Sequence, residues 1–160
     1  MLSSKTLSRR WFLLGGFALS ACGFTPVHGP GGTARKLRGR IAVAAPADEE
    51  GFALVRRLED RLGEPTEPDL MLTADILIRE ESLGFLPVGE LSRFSIEGKV
   101  DWAITDQSGN QIASGSEQSF TSYSATSTTV ATAFAERDAR RRLMIILADR
   151  ISADLQSRSL

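Results

Sequence analysis

The sequence predicts an α+β domain whose elements run strand, helix, strand, strand, strand, helix. Residues 70–78 alternate apolar and polar side chains with a period of two, the mark of a half-buried strand. Two other segments, beginning at Phe52 and Phe134, repeat apolar residues at spacings near three and four, as amphipathic helices do. Stretches rich in Gly, Pro, Asp and Asn separate the periodic segments.

Before the domain comes a leader. Lys5, Arg9 and Arg10 precede an apolar run from Trp11 to Leu19, and the small residues Ser20 and Ala21 follow, the layout of a secretory signal peptide. A bilayer-spanning helix needs about 20 apolar residues, and this run is too short. Leu19-Ser20-Ala21-Cys22 has the form of a bacterial lipobox, in which the peptidase cuts before a cysteine already joined to a diacylglyceryl group. Cys22 is therefore expected to be the first mature residue and the lipidation point; the competing reading is a free cysteine packed as a small hydrophobe. Each buried methylene contributes roughly 0.8 kcal/mol, so two or three acyl chains hold essentially permanently. Gly23 stands where lipoproteins kept in the inner membrane often carry Asp, which points to the outer membrane. "SRRWFL", Ser8–Leu13, resembles a twin-arginine export signal, with plain leader charge as the alternative.

Removal of residues 1–21 leaves 139, enough for one core. That mature chain holds 16 basic and 20 acidic residues, a net charge of −4, which excludes nucleic-acid binding by bulk charge. With Cys22 lipidated no thiol remains for a disulfide. Residues 22–37, rich in Gly and Pro, read as a lipidated flexible tether, and residues 38–160 as the single domain.

Within the domain, "GRIAVAAP", Gly39–Pro46, reads as a first strand closed by proline. Asp48, Glu49 and Glu50 place negative charge at a helix start, where it suits the dipole. Phe52, Val55, Leu58 and Leu62 form that helix's apolar stripe, and Gly63 ends it. "GEPTEPD" then breaks the chain, and the second strand puts Leu70, Leu72, Ala74, Ile76 and Ile78 on one face. Ser82–Ser92 reads as a long connection whose Leu83, Phe85, Leu86 and Val88 either contact a partner or fold back over the core. A third strand follows with Phe94, Ile96, Val100, Trp102 and Ile104 on one face, and "DQSGN" turns it into a fourth, Gln111–Thr121. Ser122–Thr128 reads as a loop. From about Thr129 a long helix places Phe134, Ala139, Leu143, Ile146, Leu147 and Ile151 near one face. Its run Arg140–Arg142 offers either an anion site or a solvated helix face.

Catalytic equipment is missing from this pattern. His28, the one histidine, lies in the tether, and no G-x-S-x-G elbow, P-loop, H-E-x-x-H or Cys/His cluster occurs. The expectation is no enzyme, no cofactor and no metal, with an unseen glycosidase-like carboxylate pair as the residual possibility.

Three segments carry a family likeness: "CGFTPVHG" (Cys22–Gly29), "GRIAVAAP" (Gly39–Pro46) and "RRLMIILADRISADL" (Arg141–Leu155). Together with the element order they resemble the LPS-assembly lipoprotein LptE family, although His28 stands where an aromatic is more usual. The resemblance implies two helices packed on one face of a four-stranded, mostly antiparallel sheet. It implies a lipid-anchored, periplasm-facing outer-membrane protein of a Gram-negative bacterium that plugs and helps assemble the barrel LptD and assists lipopolysaccharide transport. In the family, basic side chains before the third strand are associated with lipopolysaccharide phosphates. Arg93 is the nearest basic residue here, with Lys99 farther along; both compete with a reading as ordinary sheet-surface charges. The alternative function is a periplasm-facing lipoprotein that binds a small molecule or glycan on its own.

Cys22→Ser is expected to leave an uncleaved precursor that fractionates away from the outer membrane. Normal processing and acylation of that variant, read by mass spectrometry, would overturn the lipobox reading.

Overall fold

The computed structural model describes residues 33–85, 92–125 and 128–158. Cys22, the leader, most of the expected tether and residues 86–91 lie outside them. The described chain runs α1 (Thr33–Leu37), β1 (Ile41–Val43), α2 (Glu49–Leu62), β2 (Leu70–Phe85), β3 (Ser92–Asp106), β4 (Gln111–Ala125) and α3 (Thr129–Ser157). The strands form one sheet in the order β1-β2-β3-β4, with β1 parallel to β2 and the other two pairs antiparallel. The expected α+β order is what the chain adopts, with α1 added.

Alternation decides which face is covered. Leu70 and Leu72 of β2, Ile96, Val100, Trp102 and Ile104 of β3, and Ala113 and Tyr123 of β4 are buried in one cluster with the helices. Each fully buried aliphatic side chain stabilises the fold by about 1.5–3 kcal/mol. Gly98 lies within this face, where a Cβ would sit 2.9 Å from Leu143 Cδ2 and 3.0 Å from Leu147 Cδ1, so its bareness lets α3 settle onto β3.

Helix α2 starts where its sequence says it should. Asp48 Oδ1 accepts from Gly51 N–H at 2.7 Å, Glu49 and Glu50 occupy the first turn, and Gly63, at φ 85°, returns its N–H to Glu59 O at 2.8 Å. Its buried line is Gly51, Leu54, Leu58 and Leu62, whereas Phe52 is 64% exposed. Leu58 and Leu62 of the expected stripe are buried, and Leu54 takes the inward place expected of Phe52. At about 100° per residue Phe52 lies roughly 200° from Leu54, on the far side of the helix. Helix α3 corrects its expectation in the same way: Ala139, Leu143, Leu147 and Ile151 are buried, but Phe134 is 61% exposed. Nine positions separate Phe134 from Leu143, which turns it about 180° away.

The described parts of the segments expected as loops are largely strand, while residues 86–91 and 126–127 lie outside the described residues. β2 runs to Phe85, β3 begins at Ser92, and β4 extends to Ala125, so Ser122–Ala125 pairs with Ser95–Ser92 of β3. Neighbouring strands supply order that local composition does not: Tyr123 stacks on Phe94 with ring centroids 5.2 Å apart. At the other end, residues expected as the close of the tether form α1, and Leu37 is fully buried. Gly39 N–H donates to Leu62 O at 2.9 Å, which ties this turn to the end of α2. Among the described residues no helix is long and apolar enough to cross a membrane.

The two helix corrections have a direct test in urea unfolding. Leu54→Ala should cost about 2–5 kcal/mol, while Phe52→Ala should stay within about 0.5 kcal/mol.

Candidate functional site

With both helices on one side, the odd-numbered residues of β2 and β3 and the even-numbered residues of β4 face outward. Five large apolar side chains stand exposed at these positions: Met71, Leu77, Leu83, Ile112 and Phe120. Register brings two of them into one groove. Leu77 lies opposite Lys99, which lies opposite Gln118; Arg79 lies opposite Glu97, which lies opposite Phe120. These rows, with Arg150 reaching in from α3, bound a shallow groove of about 490 Å3.

The groove is mixed in character. Phe120 is 71% and Leu77 51% exposed, so its apolar part is accessible. Lys99 Nζ donates to Asp101 Oδ2 at 2.7 Å, and this hydrogen bond, with a second from Ser116, holds the Asp101 carboxyl below its ordinary pKa. Arg150 donates to Gln118 O at 2.7 Å, which fixes its guanidinium at the sheet edge. Arg79 makes no hydrogen bond or ion pair among the described residues. Three cations against Glu97 leave the groove net positive beside exposed apolar surface, a combination that suits an anionic amphiphile better than a neutral solute.

Of the two basic residues singled out from the sequence, the fold places Lys99 in this groove and Arg93 on the same face but outside it. Arg93 is exposed and lies opposite Ser124, six positions from Lys99 along β3, roughly 20 Å away. The two do not form one site. Sequence reasoning passed over Arg79, Arg150 and Phe120 as groove residues, because only cross-strand register and the path of α3 bring them to Lys99.

The run Arg140–Arg142 is spent internally, so the anion-site reading gives way. Arg140 bonds Glu136 Oε1 and Glu80 Oε2, each at 2.9 Å, and approaches Glu50 Oε1 at 3.5 Å. One guanidinium thus ties α2, β2 and α3 together. Burial opposes its charge, but the surrounding carboxylates outweigh that and raise its pKa. Tyr123 donates to Glu80 Oε1 at 2.7 Å, and burial followed by this bond pushes the phenol's pKa up. Arg141 and Arg142 both pair with Asp138. A second tie joins the helices: Arg57 and Arg61 of α2 donate to Asp149 of α3 at 2.9 and 2.7 Å. Among the described residues no three His, Cys, Asp or Glu side chains converge as a metal site.

Comparison with known proteins covers about three quarters of the chain. A family model described as "LptE: Lipopolysaccharide-assembly" matches residues 39–155. A solved structure titled as a candidate lipoprotein of Caulobacter crescentus superposes with a TM-score of 0.63 at 20% identity, covering 78% of this chain and 93% of the other. The minor lipoprotein of Acinetobacter baumannii gives 0.52 at 18% identity, covering 73% and 88%. Rare lipoprotein B of Shewanella oneidensis gives 0.51 at 15% identity, covering 73% and 92%. At these identities the likeness is one of fold. No curated protein sequence matches the chain.

Asp149 offers a pH test of the helix–helix tie. Burial works against its ionisation, yet the hydrogen bonds from Arg57 and Arg61 prevail and lower its pKa below the ordinary 3.8. Its stabilisation is therefore complete above that value and lost as pH falls through the lower folded-state value. Asp149→Asn should cost about 1–2 kcal/mol at pH 7, and the gap to the parent protein should narrow progressively in urea titrations as pH falls below 3.8.

Proposed function

Because the chain belongs to the LptE lipopolysaccharide-assembly family, we propose that it is a lipid-anchored outer-membrane lipoprotein that plugs and helps assemble the barrel LptD and assists lipopolysaccharide transport to the cell surface. The match over residues 39–155, from the start of β1 almost to the end of α3, carries this reading. Two features of the chain support it. The lipobox at Cys22 offers an anchor, and the open sheet face offers a long surface with no helix over it among the described residues. Strands of about fifteen residues present roughly 50 Å of such surface. The outward side of β4 carries Ser114, Ser116, Gln118 and Ser122 around Phe120, and a hydroxyl-rich surface suits contact with the polar inner wall of a barrel. The role is structural and transport-related, and no catalytic group enters it.

In the same reading the groove takes part of a lipopolysaccharide molecule. Arg79, Lys99 and Arg150 present donors to phosphate, with Leu77 and Phe120 beside them for apolar contact. Arg93, farther along the face, would meet a more distant part of the ligand or none.

Two measurements test this. Tagged mature lipoprotein, extracted in mild detergent, should bring down a large outer-membrane barrel; its absence would overturn the plug. The double variant Arg79→Glu, Lys99→Glu should bind purified lipopolysaccharide at least about tenfold more weakly, each lost charge-assisted bond being worth about 1.5–3 kcal/mol. Arg93→Glu should change binding less than the double variant. Unchanged binding in the double variant would remove the groove from the proposal while leaving the barrel untouched.

A further inference from the structure

Backbone pairing ends early along one side of β2. Leu70 N–H donates to Arg40 O at 3.2 Å and Leu72 O accepts from Ala44 N–H at 2.8 Å; beyond this no backbone group pairs with that side of the strand among the described residues. Strand residues send their backbone groups to alternate sides, so those of Ala74, Ile76, Ile78 and Glu80 point the same way as Leu70 and Leu72, into the open. Beyond Ala44 the chain leaves the sheet plane for α2: a Cβ on Gly51 would meet Pro46 Cβ at 3.1 Å, so Pro46 already lies against the helix's first turn. On the opposite edge of the sheet two carbonyls are capped: Arg158, just past the end of α3, and Arg150 of α3 donate to Ser114 O at 2.9 Å and Gln118 O at 2.7 Å. An exposed apolar edge strand invites pairing with another chain unless something covers it.

The open edge has two limits. β1 with Ala44 occupies it as far as Leu72, and the register of β2 shifts between Ser82 and Phe85. Between the limits lie residues 73–82, with Leu77 near the middle, and 73–81 is the part centred on it. A second copy laid antiparallel about that centre brings Leu77 beside Leu77 and Ile76 opposite Ile78. It also brings Asp75 opposite Arg79 on both sides of the axis. Neither Asp75 nor Arg79 has an ion pair or hydrogen bond among the described residues, and Leu77 is half exposed. The Asp75–Arg79 pairs and the apolar centre are symmetric about one residue, as an isologous contact requires, while Glu81 falls opposite Thr73, and Glu80, opposite Ala74, is held by Tyr123 and Arg140.

We propose that residues 73–81 of β2 form a self-complementary edge through which two copies pair into one continuous sheet, with about eight new backbone hydrogen bonds. The pair uses Leu77 and Arg79, which also line the groove, so a second copy and a groove ligand compete for the same side chains. The inference does not rest on the barrel reading.

Cross-linking tests it in the full mature lipidated chain in mild detergent. Leu77 meets its counterpart at a non-hydrogen-bonded position, where Cα atoms lie about 4.5 Å apart, within the range a disulfide spans. Under mild oxidation Leu77→Cys should give a covalent dimer much faster than Asp101→Cys, which shares the open face but sits on an interior strand. Light scattering should show Arg79→Asp weakening the dimer about tenfold and Asp75→Arg, Arg79→Asp together restoring it. A monomer at all concentrations, or equal cross-linking at positions 77 and 101, would overturn the proposal. A dimer indifferent to Arg79→Asp would overturn this register.

Discussion

Two helices can cover one face of a four-stranded sheet and no more. That limit organises the molecule: α2 and α3 bury one side of the long strands, and the other side, with the far stretch of the β2 edge, is left open. The apolar core lies on the covered side, where Leu143 and Leu147 seat over Gly98. The groove and the unpaired β2 edge both lie outside that layer. Stability and recognition are thereby separated by the plane of the sheet.

The covered layer is held in register by charge as well as by packing. Arg140 binds carboxylates from α2, β2 and α3 at once, and Asp149 receives two arginines from α2. Isolated ion pairs this close to solvent contribute little, but a guanidinium shared among three elements fixes their relative positions, because its planar fork accepts few geometries. The same economy accounts for the run Arg140–Arg142 of α3: its guanidinium groups are used on neighbouring carboxylates, and the run is no sign of a ligand.

Local pattern made much of the fold legible. The alternation of Leu70, Leu72, Ala74, Ile76 and Ile78 named the inner face of β2, and Asp48 with Gly63 bounded α2. The errors share one cause. Phe52 and Phe134 were assigned inward because they are large and apolar, yet burial on a helix follows angle, and Leu54 and Leu143 hold the right angles. Ser122–Ala125 looked like a loop because its hydroxyls bury little, and it is a strand because β3 lies beside it. Lys99 was found among possible ligand groups, but its companions Arg79, Arg150 and Phe120 come from three separate segments and meet only in space.

What the sequence determined by itself is whatever depends on near neighbours: the element order, the inner faces of β2 and β3 and the ends of α2, all set by period, charge and turn chemistry within a few residues. What only the tertiary structure decided depends on distant ones: the length of the strands, the spending of Arg140 on three carboxylates, the groove around Lys99 and the bare edge about Leu77. Register between strands is a collective property, fixed when every pair along two chains of contacts is satisfied together, and no short stretch of sequence contains it.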